Sequence, residues 1–534
     1  MAPPTIQLGR RQLLFAFVIA ALAAGAHAAA EATDDRIDHF LRLHLESGRP
    51  PYAGNDVKAA RLWAAVQAFY ARRDFRAAWP SSAVVELQRL VRQAADHGLD
   101  PADYRLPGLT RDEDDRARAD AQISFALARY ASDLAEGRFD PHGATYYWSL
   151  GPARIDLAGF LDDAAAAPRL VDALTRLEPD HAAYRGLVEA LGRYRALAAA
   201  GGWPALTATG AKAGARGPAV LALRRRLEAS GDLRGTAADR ASFDAALAGA
   251  LRRFQARHGL EADGVVGRDT LAALNVPAGA RVRQIELSLE RWRWLPRPLG
   301  HRWIAVNIPT FTLHGFDDGR TSLSMRVVTG RTESPTPVFA EPMQEVVFRP
   351  YWNVPPGIAA NEILPAVLRH PDYLSRNGLE VLPGADLQFR QRPGPGNSLG
   401  LVKFVLPNPF NVYLHDTPHG QLFARARRDF SHGCMRVERP ADLAQWVLSG
   451  SPEWTKAAVA AAMRAGDERH VALREPVPVY VLYMTAWADA DGTVSFAPDL
   501  YGHDAVHDAL LARARPPETA TAAAAVLASG GSPE

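Results

Sequence analysis

The sequence predicts a multidomain α+β chain: a helical N-terminal region, a small three-helix unit, and a mainly-β C-terminal domain broken by an insertion. Three observations lead there. The chain has 534 residues, which at roughly 150 residues per domain corresponds to about three or four domains. The hydrophobic period changes along it: three- and four-residue spacings prevail to about residue 200, while short β-branched and aromatic runs bounded by Gly, Pro and Asn begin at His301. The composition, 48% hydrophobic and 22% charged, supplies more than one core and excludes a disordered polyelectrolyte. The net charge of +2 offers no general field for nucleic acid.

The first element, 1–28, reads as a secretory signal peptide. Arg10-Arg11 precede an uncharged apolar run, and Ala26-His27-Ala28 gives an A-x-A cleavage pattern. The run is short for a membrane span, so cleavage near Ala28 and no stable span afterwards are expected. The two arginines leave Sec and twin-arginine export both open. Residues 29–208 form the helical domain, with amphipathic helices expected at 59–78 and 87–97. Residues 209–276 comprise a Gly/Ala/Lys linker and the compact three-helix unit, in which Asp263, Gly264 and Gly267 read as turn formers before the last helix. A connecting segment is expected over 277–300. The β domain spans 301–510, with strands expected at 303–308, 310–314, 324–330, 346–348, 402–406, 411–415 and 477–483. The insertion occupies about 355–400, with a helix at 358–369, and a further helix is expected at 441–448. The stretch 511–534 is Ala/Thr/Gly/Ser-rich and expected to be disordered. No Walker loop, GxGxxG, HExxH or EF-hand pattern occurs.

The chain has one cysteine, Cys434. It cannot form an internal disulfide, a zinc ribbon or a CxxC pair, and in an exported protein a leftover thiol asks for an explanation. A lone cysteine is more often a packed apolar residue than a nucleophile. Its surroundings, Ser431-His432-Gly433-Cys434-Met435-Arg436, shift that balance. A nearby histidine takes the thiol proton or lowers its pKa, and backbone N–H groups around Gly433 and Cys434 suit an oxyanion, with Ser431 and His432 as oxyanion or structural residues of the same turn. His415, at an expected strand end 19 positions upstream (434 − 415), is the better candidate for the base, with His432 a structural hydrogen-bonder. Asp416 reads either as a local turn residue or as a substrate contact, and Arg436 as a surface cation or a grip for a substrate carboxylate.

The run SHGCMRVE with HDTP upstream resembles the YkuD-type L,D-transpeptidase family. VVFRPYWNVPPGIAANEILP and RPGPGNSLGLVKFVLPNPFNVYLHDTP resemble its large periplasmic, YcbB-like branch, in which the insertion corresponds to a capping element over the active site. Phe69-Tyr70 through Trp79, His97-Gly98-Leu99-Asp100, and Asp133-Leu134 with Gly137-Arg138 resemble that branch's scaffold domain. Residues 216–275 resemble the type 1 peptidoglycan-binding module. Arg349 stands where Asn is expected before Pro-Tyr-Trp, and Met435 where Val or Ile is more usual.

The resemblance implies 3→3 cross-linking of peptidoglycan through a Cys434 thioester, with His415 as base and the residue-416 carbonyl fixing its tautomer. Arg436, Tyr413, Trp352 and Asn353 are then candidates for substrate contact. No metal or organic cofactor is expected, and Cys434 would be acylated by carbapenems. Expected partners are peptidoglycan stem peptides and glycan, with a peptidoglycan synthase or carboxypeptidase supplying substrate. Two other readings stay open: an exported thiol acyltransferase or peptidase using a protein lysine or water as acceptor, and a non-catalytic wall-binding protein.

Overall fold

The computed structural model describes residues 33–47, 57–108, 112–142, 147–207, 209–235, 239–384 and 387–514. The expected signal peptide and nearly all of the expected tail lie outside these. The chain divides into two compact units: residues 1–138, 154–178 and 512–534 in one, 139–153 and 179–511 in the other. Among the described residues no helix is long and apolar enough to cross a membrane.

The first unit is helical. A helix over 33–46, Val57–Arg72, Ser81–Gln93, Glu113–Glu136 and Leu157–Ala166 pack Leu62, Phe69, Leu87, Leu127, Ala131 and Leu161 into one core. Of the motif residues of this region, Tyr70, Trp79 and Asp133 are buried and hydrogen-bonded. Asp120 accepts the Tyr70 hydroxyl and the N–H groups of Ala78 and Trp79. Asp133 pairs with Lys58 and accepts the Tyr104 hydroxyl. A buried carboxylate is tolerated only with such compensation.

The second unit begins its main run with the helix Ala182–Ala199. Sequence adjacency assigns this helix to the N-terminal domain, yet Leu187, Leu191 and Tyr194 share a core with Ile285, Leu289 and Trp292. Those three residues belong to the helix Ala278–Trp292, which replaces the expected connecting segment. Its spacing of apolar residues at 285, 289 and 292 is helical, and burial against the β domain stabilises it. The three-helix unit forms as expected, from Pro218–Ala229, Ala245–Arg257 and Arg268–Leu274 around Leu223, Leu227, Leu251 and Phe254. Asp263 there accepts the Gln255 amide and the Val265 N–H, which is a turn-forming role.

The β domain contains β1 Arg302–Asn307, β2 Thr312–Asp317, β3 Arg320–Gly330, β4 Phe339–Phe348, β5 Trp352–Asn353, β6 Leu379–Leu382, β7 Gln388–Gln391, β8 Val402–Val405, β9 Leu414–His415, β10 Asp429–Ser431, β11 Met435–Val437, β12 Arg469–Leu482, β13 Ala486–Ala488 and β14 Val494–Phe496. The order β3-β11-β9-β8-β4-β12-β1-β2 closes on itself, because β2 also pairs with β3. Closure leaves these eight strands with no free edge between β3 and β2. The long β3 pairs with β2 first and with β11 and β10 at its last residues. Inside lie Val306, Leu313, Val327, Val346, Phe404, Leu414, Met435 and Val479. The insertion starts three residues earlier than expected. Its sheet β5-β7-β6 and a continuous helical run, Pro356–Ile358, Ala359–Ile363 and Leu364–Arg369, where a helix over 358–369 is expected, enclose a separate core of Val354, Ala359, Ile363, Leu379 and Phe389.

Candidate active site

Three short strands build the site. β9 runs parallel to β11, with Leu414 opposite Met435 and His415 opposite Arg436. On its other side β9 pairs antiparallel with β8, placing Lys403 opposite His415. Leu414, Met435, Val402 and Phe404 are buried in the core. Side chains alternate along a strand, so Tyr413, His415, Lys403 and Arg436 share the other face. Cys434 precedes Arg436 by two residues and joins that face. The alternation Val402-Lys403-Phe404 and Tyr413-Leu414-His415 is thus what assembles the chemistry.

His415 is buried, and its Nδ1 donates to the Asp416 carbonyl at 2.5 Å. That bond puts the proton on Nδ1 and leaves Nε2 with a lone pair. Burial, with the charges of Arg436 and Lys403, holds the imidazole pKa down at about 3, so the ring is neutral at physiological pH. Cys434 is partly exposed. Desolvation raises its thiol pKa above the ordinary value, against the opposing pull of Tyr413 hydrogen bonds and of Lys403 and Arg436. The Tyr413 ring sits 5.7 Å from His415 and carries the Lys403 ammonium 4.0 Å above it. The resting pair is therefore a neutral thiol and a neutral base, in a pocket of two cations. Among the described residues neither Lys403 nor Arg436 has an ion-pair partner, and the Arg436 Nε is buried without a hydrogen bond. No hydrogen bond joins Cys434 to His415 among the described residues; the thiol donates to the Asn411 carbonyl at 4.0 Å.

The nucleophile sits in the turn from β10 to β11. Gly433 has φ +115°, a conformation that favours glycine. The turn directs its N–H inward onto the Ser431 hydroxyl at 3.1 Å. Gly433 was expected among the oxyanion donors, and this geometry removes it from that role. Ser431 donates in turn to the Cys434 carbonyl at 2.5 Å, so it braces the turn. The His432 ring reaches out to Glu362 of the insertion, Nε2 to Oε1 2.6 Å, consistent with a structural part for this histidine.

Asp416 accepts the Leu401 and Thr417 N–H groups at 2.8 and 2.7 Å. Its carboxylate thus braces its own turn and ties it to the segment entering β8, in line with the structural reading of this residue. Trp352 and Asn353 form β5 and pair with Gln391 and Arg390. Trp352 packs on the insertion's core; no hydrogen bond or ring contact joins either residue to Cys434 or His415 among the described residues. Sequence reasoning missed Lys403 and Glu362. Lys403 was visible as the polar member of an alternating strand, but its place beside the thiol depends on the β8–β9 pairing. Glu362 carries no sequence signal.

Residues 301–458 match the YkuD family model, "L,D-transpeptidase catalytic domain". Residues 216–274 match a "Putative peptidoglycan binding domain", and 64–191 match a "Scaffold domain". A Haemophilus influenzae protein described as "Putative L,D-transpeptidase" is 30% identical over 239 residues, 42% of this chain and 48% of that protein. The chain thus spans about half the length of this curated relative. Among solved structures, an L,D-transpeptidase from Xylanimonas cellulosilytica is 17% identical and covers 52% of this chain and 98% of its own, at a TM-score of 0.19. One from Stackebrandtia nassauensis is 16% identical, covers 52% and 96%, and has a TM-score of 0.24.

Proposed function

We propose that this chain, which carries a YkuD-type L,D-transpeptidase catalytic domain together with a peptidoglycan-binding domain, forms 3→3 cross-links in peptidoglycan through a thioester on Cys434. The Cys434 sulfur attacks the carbonyl of the third residue of a tetrapeptide stem as the thiol proton passes to Nε2 of His415. The bond to the terminal D-alanine breaks, and the imidazolium gives its proton to the leaving amine. A side-chain amine of a second stem then attacks the thioester. Its proton goes to His415 and on to the departing sulfur, restoring both groups.

The observation that carries this reading is the His415 Nδ1–Asp416 carbonyl bond, which leaves a neutral imidazole lone pair on the face that bears Cys434. Lys403 and Arg436, charged and without ion-pair partners among the described residues, suit a substrate that is itself anionic. Tetrapeptide stems end in a carboxylate, and a diamino acid at position three adds another. The apolar run and A-x-A pattern near Ala28 support export to the periplasm, where the substrate lies. Intact mass spectrometry tests the first step. Incubation with a tetrapeptide stem or a carbapenem is expected to give an adduct that Cys434→Ala abolishes; an unmodified wild-type protein under reducing conditions counts against the reading.

A further inference from the structure

We propose that Thr336 is a positioning residue that pre-forms the oxyanion hole by clamping the Gly433–Cys434 peptide from behind. The inference rests on the thioester chemistry proposed above and extends it to a residue outside the Ser-His-Gly-Cys motif.

Accounting for the backbone groups of the nucleophile turn leads there. The Ser431 carbonyl accepts the Arg331 N–H at 3.0 Å. The Gly433 N–H donates to the Ser431 hydroxyl. The Cys434 carbonyl accepts that same hydroxyl, and the Met435 N–H donates to the Tyr413 carbonyl at 3.0 Å. The Gly433 carbonyl accepts the Thr336 hydroxyl at 2.7 Å. From Gly433 to Met435, the Cys434 N–H is the backbone donor without a partner among the described residues.

Peptide planarity makes this significant. The C=O of Gly433 and the N–H of Cys434 belong to one trans peptide and point in opposite directions. Holding the carbonyl on Thr336, whose side chain is fully buried, therefore turns the Cys434 N–H away from the protein interior. It sits on the nucleophile's own residue, where an acyl oxygen would develop negative charge. A peptide free to rotate would pay reorganisation at each turnover; a clamped one does not.

The clamp is itself held. The Thr336 hydroxyl accepts the Gly330 N–H at 2.8 Å, which fixes the hydroxyl hydrogen toward Gly433. The Tyr501 hydroxyl donates to the Gly330 carbonyl at 2.5 Å and accepts the Thr336 N–H at 3.3 Å. The loop between Gly330 and Thr336 is tight enough that a Cβ on Gly330 would lie 2.2 Å from the Ser334 carbonyl. Tyr501 receives its own anchor through its N–H, which donates to the Tyr483 hydroxyl at 2.7 Å. Thr336 and Tyr501 thus form a hydrogen-bonded path from the end of β12 to the nucleophile turn.

The test separates oxyanion stabilisation from thiol reactivity. Acyl-enzyme formation at Cys434 with a tetrapeptide stem or a carbapenem passes through an oxyanion. Alkylation of the same thiol by iodoacetamide is displacement at a saturated carbon and does not. Thr336→Val is expected to slow acylation roughly 10- to 100-fold, short of the outright loss of an oxyanion donor. Its alkylation rate and pH profile should match wild type, which also reports an intact site. Thr336→Ser, which keeps the hydroxyl, should restore acylation. Equal acylation of Thr336→Val and wild type would overturn the proposal, as would a parallel fall in acylation and alkylation in both variants. A wild-type protein that neither donor acylates would instead overturn the transpeptidase reading, and this inference with it.

Discussion

Lys403→Met removes one of the two cations beside Cys434, and it moves two titrations in the same direction. At pH 5 a histidine of ordinary pKa, about 6.5, is about 97% protonated, whereas His415 at about 3 is neutral in about 99% of molecules. Acylation by a carbapenem should therefore show no acid limb near pH 6.5, and the rate should hold to well below pH 5 wherever the fold survives. Lys403 lowers the His415 pKa and the Cys434 pKa alike. Its loss should raise both. The acid limb of acylation then moves up in pH, and so does the midpoint of iodoacetamide alkylation. In wild type that midpoint should already lie above the ordinary thiol value of about 8.5, because desolvation dominates. A wild-type midpoint below about 7 would mean a thiolate–imidazolium ion pair at rest. That result, or a midpoint that Lys403→Met leaves unmoved, refutes the reasoning from burial and charge.

His415→Ala should abolish turnover in a tetrapeptide assay while His432→Ala and Glu362→Ala retain it, with matching effects because they break the same contact; loss of activity in His432→Ala alone would reverse the assignment of the base. Asp416→Ala leaves two N–H groups without their acceptor and should cost about 2–4 kcal/mol of stability, seen by chemical denaturation. Asp416→Asn should recover part of it; no loss in Asp416→Ala would contradict the turn role. His181 and His503 are buried as neutral rings with pKa values near 4, against about 6.5 unfolded. Between those values the unfolded chain binds more protons, so stability falls as pH drops through that window, by about 3 kcal/mol per histidine. His503→Phe should flatten the decline of Tm between pH 7 and 4; identical slopes would contradict it.

The broad fold was legible because hydrophobic period changes with secondary structure, and the switch at His301 marks β1. The catalytic pair was legible because Cys434 is unique and His415 ends an alternating run. Other features depend on long-range pairing. The helix Ala278–Trp292 has a helical apolar spacing, yet Gly and Pro at both ends made it read as a connector. Ala182–Ala199 was assigned by sequence adjacency, whereas burial joins it to residues a hundred positions later. Gly433's inward N–H follows from its positive φ, which residue type permits but does not dictate. Lys403, Glu362 and Thr336 approach the site only through strand register and the insertion's folding, so no local pattern announces them.

The most direct measurement incubates the protein, with residues 1–28 removed, with a disaccharide-tetrapeptide and sequences the products by tandem mass spectrometry. The account predicts a dimer joined between two third residues, with release of D-alanine, absent with Cys434→Ala. Free disaccharide-tripeptide without dimer, or unchanged substrate, would contradict it.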